Sequence, residues 1–219
     1  MKKFCTLTAI FVLSALFLLT ASACSKSVNY LDYVSERRLN VYVYRDDDTE
    51  VKIYCSQKEQ PYCADGIKGE LCDLIEIFVK LPKNPQELEV SVEGFTGEMN
   101  YQAVDGIFYL SYTSPAFTGS GVTVTLTADG ESKSYDALSV KDDKVMSCDD
   151  AVLCVAEHAK DLFESLTDGR LFDGEIYVRL LYDEGCYYFV GVCDKEKSIH
   201  AYLIDGERGK VIATKSIQG

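Results

Sequence analysis

Hydrophobic and polar residues alternate over most of the first two thirds of the chain. Between Leu39 and Val140, short alternating segments are separated by turn residues, and helical periodicity is weak. In one segment Val122, Val124 and Leu126 fall on one side and three threonines on the other. This pattern is typical of antiparallel strands with one buried face. It predicts strands near residues 39–45, 50–56, 73–81, 87–93, 98–103, 106–113, 121–128 and 132–139.

Two turn signals support hairpins between these strands. Asp105-Gly106 and Asp129-Gly130 each separate a pair of alternating segments. An Asp-Gly pair is a strong hairpin signal because both residues tolerate a positive φ. Many short strands with regular turns indicate an antiparallel β-sandwich of immunoglobulin-like type over residues 39–140.

The pattern changes after residue 140. A charged linker over residues 141–146 leads to Ser147, which with Asp150 forms a capping-box-like helix start. Apolar residues at helical spacing predict a helix to about Ser165. Three strands are predicted after it, at residues 175–182, 186–193 and 199–204. The predicted fold class is therefore mainly β plus α+β, with a small one-helix, three-strand antiparallel domain over residues 147–219.

The end of the last predicted strand carries a recognisable motif. Asp205, Gly209, Lys210 and Val211 follow an apolar strand in an order that resembles the closing signature of the PepSY domain. The resemblance covers residues 147–217. It implies a non-catalytic module of the kind found in protease propeptides and extracytoplasmic proteins, where such modules are thought to bind and restrain peptidases. Physically, we expect Gly209 to supply a positive φ and Asp205 to accept turn amides.

The amino-terminal segment has the features of an export signal. Two lysines precede an apolar run over residues 7–19, and small residues lead to Cys24. The segment resembles the bacterial lipobox, which implies lipidation of Cys24, and the alternative is an uncleaved signal anchor. Two segments are predicted: a signal peptide over residues 1–23 and a lipidated tether over residues 24–38. Either alternative places the body outside the cytoplasm, attached to the bacterial cell membrane.

The net charge excludes one class of partner. The chain carries a formal charge of -13, and the densest basic group after the export signal is Arg37-Arg38 beside Glu36. Nucleic-acid binding needs clustered cations that displace counterions from phosphates. The composition therefore argues against nucleic acid and is typical of a soluble surface that attracts basic partners.

The cysteines suggest one disulfide and no metal site. Of the 9 cysteines, Cys5 lies in the signal and Cys24 is the lipidation site, so an odd number remains. Cys63 with Cys55 or Cys72 is the predicted bridge, because the three flank one loop. The sequence contains no CxxC pair and no HExxH motif, so neither a zinc site nor another cofactor is predicted.

Few residues are suited to catalysis. The only histidines are His158 and His200. Cys154 and His158 lie four residues apart and share a helix face, as a thiol–imidazole pair or two metal ligands would. A cysteine on a core-facing helix more commonly acts as a small hydrophobe, and His200 is interpreted as structural. No catalytic residue is predicted, and the chain is not expected to be an enzyme.

The tyrosines suggest a recognition surface. The chain has 15 tyrosines and no tryptophan. One face of the strand at 186–193 must point away from the helix, so the candidate docking surface comprises Tyr187, Tyr188, Phe189 and Tyr202. The leading hypothesis is a non-enzymatic protein that binds an envelope or secreted protein, with a peptidase as the class that the resemblance implies. The alternative is a module whose sandwich binds cell-wall glycan or peptide.

Overall fold

The computed structural model describes residues 28–59 and 69–217 and shows a mainly β chain. The first part comprises β1 (Val34–Arg45), β2 (Glu50–Glu59), β3 (Leu71–Lys80), β4 (Glu89–Val92), β5 (Phe95–Glu98), β6 (Asn100–Gln102), β7 (Ile107–Thr113), β8 (Gly121–Ala128) and β9 (Glu131–Ser139). The second part comprises α1 (Cys148–His158), α2 (Lys160–Ser165), β10 (Thr167–Asp168), β11 (Leu171–Phe172), β12 (Gly174–Tyr182), β13 (Cys186–Asp194), β14 (Ile199–Asp205) and β15 (Lys210–Ile217). The prediction of a mainly β fold with antiparallel strands is confirmed.

Strand β1 connects the two parts of the chain. The main sheet runs in the order β15-β14-β13-β12-β1-β2-β3-β7-β6, and a branch of β9, β8, β4 and β5 leaves from β1. Residues 34–38 of β1 pair in parallel with β12, whereas Tyr42 and Val43 pair with β9. The strands before and after the helices therefore belong to one hydrogen-bonded sheet.

Two clusters of buried side chains lie on opposite faces of β1. Val41 packs in the cluster that contains Val152 of α1 and side chains of β12, β13 and β14. The next residue, Tyr42, packs in the cluster that contains Ile53 of β2 and Val124 of β8. Because successive side chains of a strand point to opposite faces, β1 contributes to both clusters.

The first described residues are part of the fold. A 3-10 turn at Tyr30–Tyr33 precedes β1. The Tyr30 ring packs edge-on against Phe163 at 4.7 Å and against Phe172 at 5.3 Å between centroids. Val34, at the start of β1, is fully buried. Residues 30–38, which the sequence assigns to a tether, are therefore anchored to the helices and to β12.

The second part of the chain differs from its prediction in three ways. The capping box forms as expected, since Ser147 Oγ accepts the Asp150 N–H at 3.0 Å and the Asp150 carboxylate accepts the Ser147 N–H at 3.3 Å. The helix is interrupted at Ala159, whose φ of -110° and ψ of 39° are not helical. A short hairpin, β10–β11, follows α2. The prediction of three closing strands is wrong, because β15 adds a fourth along β14.

Candidate functional site

A groove of about 480 Å³ lies between the helices and the last two strands of the sheet. His158 and Lys160 belong to its helical wall. Its floor comprises His200 and Tyr202 of β14 and their cross-strand neighbours Ser216 and Thr214 of β15. The groove therefore brings both histidines of the chain to one surface.

The two histidines are held by different contacts. His200 Nδ1 lies 3.2 Å from Ser216 Oγ, and its Nε2 lies 3.6 Å from a carboxylate oxygen of Asp194. His158 packs edge-on against the Tyr202 ring, with centroids 6.2 Å apart. Imidazole, ammonium and hydroxyl groups can all donate hydrogen bonds. The groove thus presents hydrogen-bond donors together with the carboxylate of Asp161, which also lines it.

Cys154 and His158, which share a face of α1, make separate contacts. The Cys154 thiol donates to the Gly209 carbonyl at 3.0 Å. Desolvation raises the pKa of this thiol, and the charge of Glu157 adds to the effect. A protonated thiol is neither the nucleophile nor the metal-ligating form of cysteine. In this structure Cys154 fastens the turn between β14 and β15 to the helix.

The docking surface predicted from the tyrosines divides between two faces of the sheet. Tyr188 is fully buried against the helices and donates a hydrogen bond to the Met146 carbonyl at 2.7 Å, and Tyr202 is only 9% exposed. Tyr188 and Tyr202 are therefore too buried to belong to the predicted docking surface. Tyr187 and Phe189 lie on the opposite face and are part-exposed. The error has a simple cause, since the sequence alone does not say which of two alternating faces meets the helix.

We call the face of β13, β14 and β15 that points away from α1 the outer face. Phe189 of β13 pairs with Leu203 of β14, which pairs with Ala213 of β15. Its members with side chains at least part-exposed include Tyr187, Phe189, Ile199, Leu203, Ala213, Lys215 and Ile217. The outer face therefore combines apolar side chains with the charged side chain of Lys215, which lies between Ala213 and Ile217 on β15.

The motif residues Asp205 and Gly209 lie in the turn between β14 and β15. The Asp205 carboxylate accepts the N–H groups of Glu207 and Arg208 at 3.1 and 3.0 Å. Gly209 has a φ of +62°, a conformation that favours glycine, and its N–H donates to the Asp205 carbonyl at 2.9 Å. The motif directs the chain back along β14 as strand β15.

Strand β15 forms an open end of the sheet. The sheet path ends at β15, β6 and β5, which have 8, 3 and 4 residues. No described strand pairs with the free side of β15, and seven of its eight residues are exposed. Globular proteins usually keep open edges short, because an open edge is a template for another strand. A register shift lies near the start of β15, beyond which residues 213–217 pair regularly with β14.

A second concave surface lies at one end of the first group of strands. It has a volume of about 780 Å³ and lies between the β1–β2 turn, the β3–β4 connection and the β8–β9 turn. Lys83 and Asn84 lie on one side of it, and Lys133 and Tyr135 on another. The Lys133 ammonium lies 4.8 Å from the centre of the Tyr135 ring. No motif in the sequence identifies this cleft, because three distant turns form it.

The cysteines of the described residues are all free thiols. Cys24, Cys63 and the signal peptide predicted over residues 1–23 lie outside the described residues. Of the two predicted partners of Cys63, Cys55 is fully buried and Cys72 is part-exposed at the start of β3. Desolvation raises the pKa of Cys55 to about 11, partly offset by a hydrogen bond with the backbone of Phe117. Burial likewise raises the pKa of Cys148, whose thiol donates to the Arg38 carbonyl, to about 11.

These two thiols predict an alkaline loss of stability. Below about pH 9 they are protonated in both states. Between about pH 9 and about pH 11 the unfolded chain ionises first, so stability is lost as the pH rises. We expect a loss of about 2 kcal/mol or more for each thiol over this range. Urea unfolding at about pH 8 and about pH 10 covers about half of this titration, so it should show a loss of about 1 kcal/mol for each thiol.

The control for this experiment is the double variant Cys55→Val and Cys148→Val. Its free energy of unfolding should change less with pH than that of the natural chain, because neither side chain ionises. Equal changes in the two proteins would show that other groups cause the alkaline loss.

Comparisons with protein-family models, with curated proteins and with solved structures found no match to this chain. Within residues 28–59 and 69–217, no helix is long and apolar enough to span a membrane. The same residues contain no group of three His, Cys, Asp or Glu side chains that could hold a metal ion. The described residues instead present three surface features: the open edge at β15, the groove and the second cleft.

Proposed function

We propose that the chain is a lipid-anchored, extracytoplasmic protein without enzymatic activity, which binds an envelope protein. The export signal and Cys24 support the anchor. The motif around Asp205 and Gly209 supports a PepSY-like module at residues 147–219, and makes a peptidase the partner class that we favour. The anchor would keep the protein at its membrane, close to partners of the envelope.

We also infer two modules, an immunoglobulin-like sandwich over residues 39–140 and a PepSY-like α+β module after the linker. The two buried clusters support this division. So does the order of a capped helix followed by antiparallel strands. Strand β1 then acts as the element that both modules share.

The observation that carries the proposed function is the open edge at β15. An exposed strand of eight residues presents backbone N–H and C=O groups that water satisfies when no partner is present. Adding a strand to such an edge is a recurring mode of peptide recognition. The edge lies in the module whose resemblance implies protein binding, and it borders both the groove and the outer face.

Partner capture tests this proposal. The tagged full chain is crosslinked briefly in its own cells, and captured proteins are identified by mass spectrometry. Two variants, Thr214→Pro and Lys215→Pro, address the edge. Neighbouring N–H groups of a strand point to opposite edges, so one proline removes a group from the free side and the other removes one from the β14 side.

We expect the free-side proline to leave the melting temperature nearly unchanged and to reduce capture by about tenfold, since it removes and blocks backbone hydrogen bonds. The other proline should lower the melting temperature. If both variants fold and still capture the partner as well as the natural chain does, the partner binds at a surface other than the β15 edge. Capture of no envelope protein by the natural chain would contradict the proposed function itself.

The second cleft favours one alternative function, the binding of cell-wall glycan or peptide by the sandwich. Its size and its mixture of lysine, amide and aromatic side chains fit a polar ligand. The variant Lys83→Glu distinguishes the two functions, because Lys83 is exposed and lines only this cleft among the sites described. Partner capture should survive this change, whereas binding to isolated cell wall should be lost if the alternative is correct.

A further inference from the structure

A small cavity lies where strand β12 separates from β1. The last residues of the two strands that pair are Arg38 and Arg179. Beyond them Leu180 of β12 lines one side of the cavity, and Lys52 and Tyr54 of β2 line the other. Its volume of about 90 Å³ equals the share that about three water molecules take up in the liquid, so it suits only a small ligand.

The guanidinium of Arg38, which also lines this cavity, has few acceptors. It lies 3.9 Å from the centre of the Tyr54 ring, and its Nη1 donates to the Leu180 carbonyl at 3.4 Å. Its Nε is buried, and no group of the described residues accepts a hydrogen bond from it. A buried donor without an acceptor carries a desolvation cost. An acceptor bound beside Arg38 would remove that cost.

Ser56, opposite Arg38 on the neighbouring strand, shows the same shortage. Arg38 and Ser56 are cross-strand partners of β1 and β2, so their side chains lie on one face of the sheet. Ser56 is 2% exposed, and its Oγ has no hydrogen-bond partner among the described residues. Native proteins satisfy nearly all buried polar groups. Two neighbouring donors without acceptors therefore indicate a bound group that carries lone pairs.

The acidic side chains near Arg38 are bound to other groups. Both oxygens of the Glu36 carboxylate accept hydrogen bonds from Arg179, and Glu76 accepts one from the Tyr109 hydroxyl at 3.2 Å. Desolvation lowers the pKa of Arg38, although the charges of Glu36 and Glu76 oppose the shift. The charge of Arg179 adds to it. The local carboxylates thus do not compensate for the burial of the Arg38 charge.

Lys52 brings a second cation to the cavity. Its ammonium lies 3.0 Å from Glu50 Oε1, and its side chain is 28% exposed. Glu50 also accepts a hydrogen bond from Arg45 Nε at 2.9 Å, so it keeps a cation when Lys52 turns towards the cavity. A lysine side chain is flexible enough for such a turn.

We propose that this cavity binds a small oxyanion, of the carboxylate or phosphate class, through Arg38 and Lys52. Two oxygens of such an ion match the fork of N–H donors that a guanidinium presents. The formal charge of -13 repels anions at long range, so the affinity has to come from these short contacts. A bound oxyanion would link the end of β12 to β1 and β2. The inference goes beyond the proposed function and does not depend on the β15 edge.

Nuclear magnetic resonance of the full chain purified in detergent tests the proposal. Acetate or phosphate replaces chloride stepwise at constant ionic strength, and the Arg38 Nε–H signal is followed. We expect each oxyanion to shift this signal in a saturable way, with a Kd of about 1 mM or tighter. The signals of Arg45 and Arg208, whose side chains are 60% and 82% exposed, are internal controls and should not saturate in parallel.

Protein variants then assign the site, with the backbone amide signals of Tyr54 and Ser56 as the readout. Arg38→Lys keeps the charge but removes the fork of donors, so it should weaken acetate and phosphate by about tenfold or more. Lys52→Gln should weaken both by about threefold, and it tests the site even if Arg38→Lys fails to fold. The matched control is Lys210→Gln on β15, which should change neither affinity by more than about twofold.

Two results would overturn the inference. The first is the absence of a saturable shift at oxyanion concentrations about tenfold above the expected Kd, which would mean that water alone satisfies Arg38. The second is equal affinity in the natural chain and in a folded Arg38→Lys or Lys52→Gln variant, which would place the ion at another surface. Neither result bears on partner capture at β15, so the proposed function would stand or fall separately.

Discussion

Replacing Arg179 with methionine should lower the free energy of unfolding by about 3–5 kcal/mol. Arg179 of β12 holds the Glu36 carboxylate of β1 with two hydrogen bonds, Nε to Oε1 at 2.9 Å and Nη2 to Oε2 at 2.6 Å. Glu36 is only 3% exposed, whereas Arg179 is partly open to solvent. The substitution therefore leaves a buried carboxylate without its principal cation. Urea unfolding at neutral pH measures the loss.

Two controls separate this effect from a general loss of charge. Lys160→Met removes one partner of the exposed pair with Glu164 and should cost less than about 0.5 kcal/mol. The double variant Glu36→Leu with Arg179→Met should recover much of the stability, because no charge is left buried. A loss below about 1 kcal/mol for Arg179→Met alone would show that the pair does not hold β1 to β12.

This pair also explains why the sequence does not reveal the true start of β1. Ser35 and Glu36 are polar, so the segment before Leu39 does not show the alternation of a strand. Both are nonetheless buried, because Ser35 Oγ donates to Glu175 Oε1 at 2.5 Å and Glu36 pairs with Arg179. These partners lie 140 or more residues along the chain. A pattern of neighbouring residues cannot reveal a contact between residues this far apart in the sequence.

Strands with one buried face were the easiest to predict. The alternation at residues 121–128 coincides with β8, in which Val122, Val124 and Leu126 are buried. The start of α1 was equally clear, since Ser147 and Asp150 form a local capping box. In both cases the physical signal lies within a few residues. The interruption at Ala159 carries no such signal, because alanine is favourable in a helix.

The candidate site was harder to predict, because it depends on an exposed strand and on distant pairings. Most side chains of β15 are exposed, so no hydrophobic alternation reveals this strand. The sequence likewise gives His158 and His200 as separate residues, and only the packing of α1 over β14 brings them to one groove. The features most relevant to binding are thus the ones that local sequence patterns describe least.

Replacing Phe163 with alanine should cost about 3–5 kcal/mol and release the turn that precedes β1. Phe163 is 1% exposed, and its ring packs against Tyr30 at 4.7 Å and Phe172 at 5.4 Å between centroids. The cavity left by the substitution would lie where the turn at Tyr30–Tyr33 meets α2 and β11. Urea unfolding measures the cost, and amide hydrogen exchange should become faster at Tyr30–Tyr33.

The matched control for Phe163 is Leu171→Ala, beside Phe172 in the same hairpin. Leu171 is 67% exposed, so its truncation should change stability by less than about 0.5 kcal/mol and leave exchange at the turn unaltered. Fast exchange at Tyr30–Tyr33 in the natural chain would mean that the turn is not anchored by Phe163. The tether that we propose would then extend to the start of β1. Slow exchange that is lost only in Phe163→Ala would instead show that Phe163 holds the turn at Tyr30–Tyr33 in the fold.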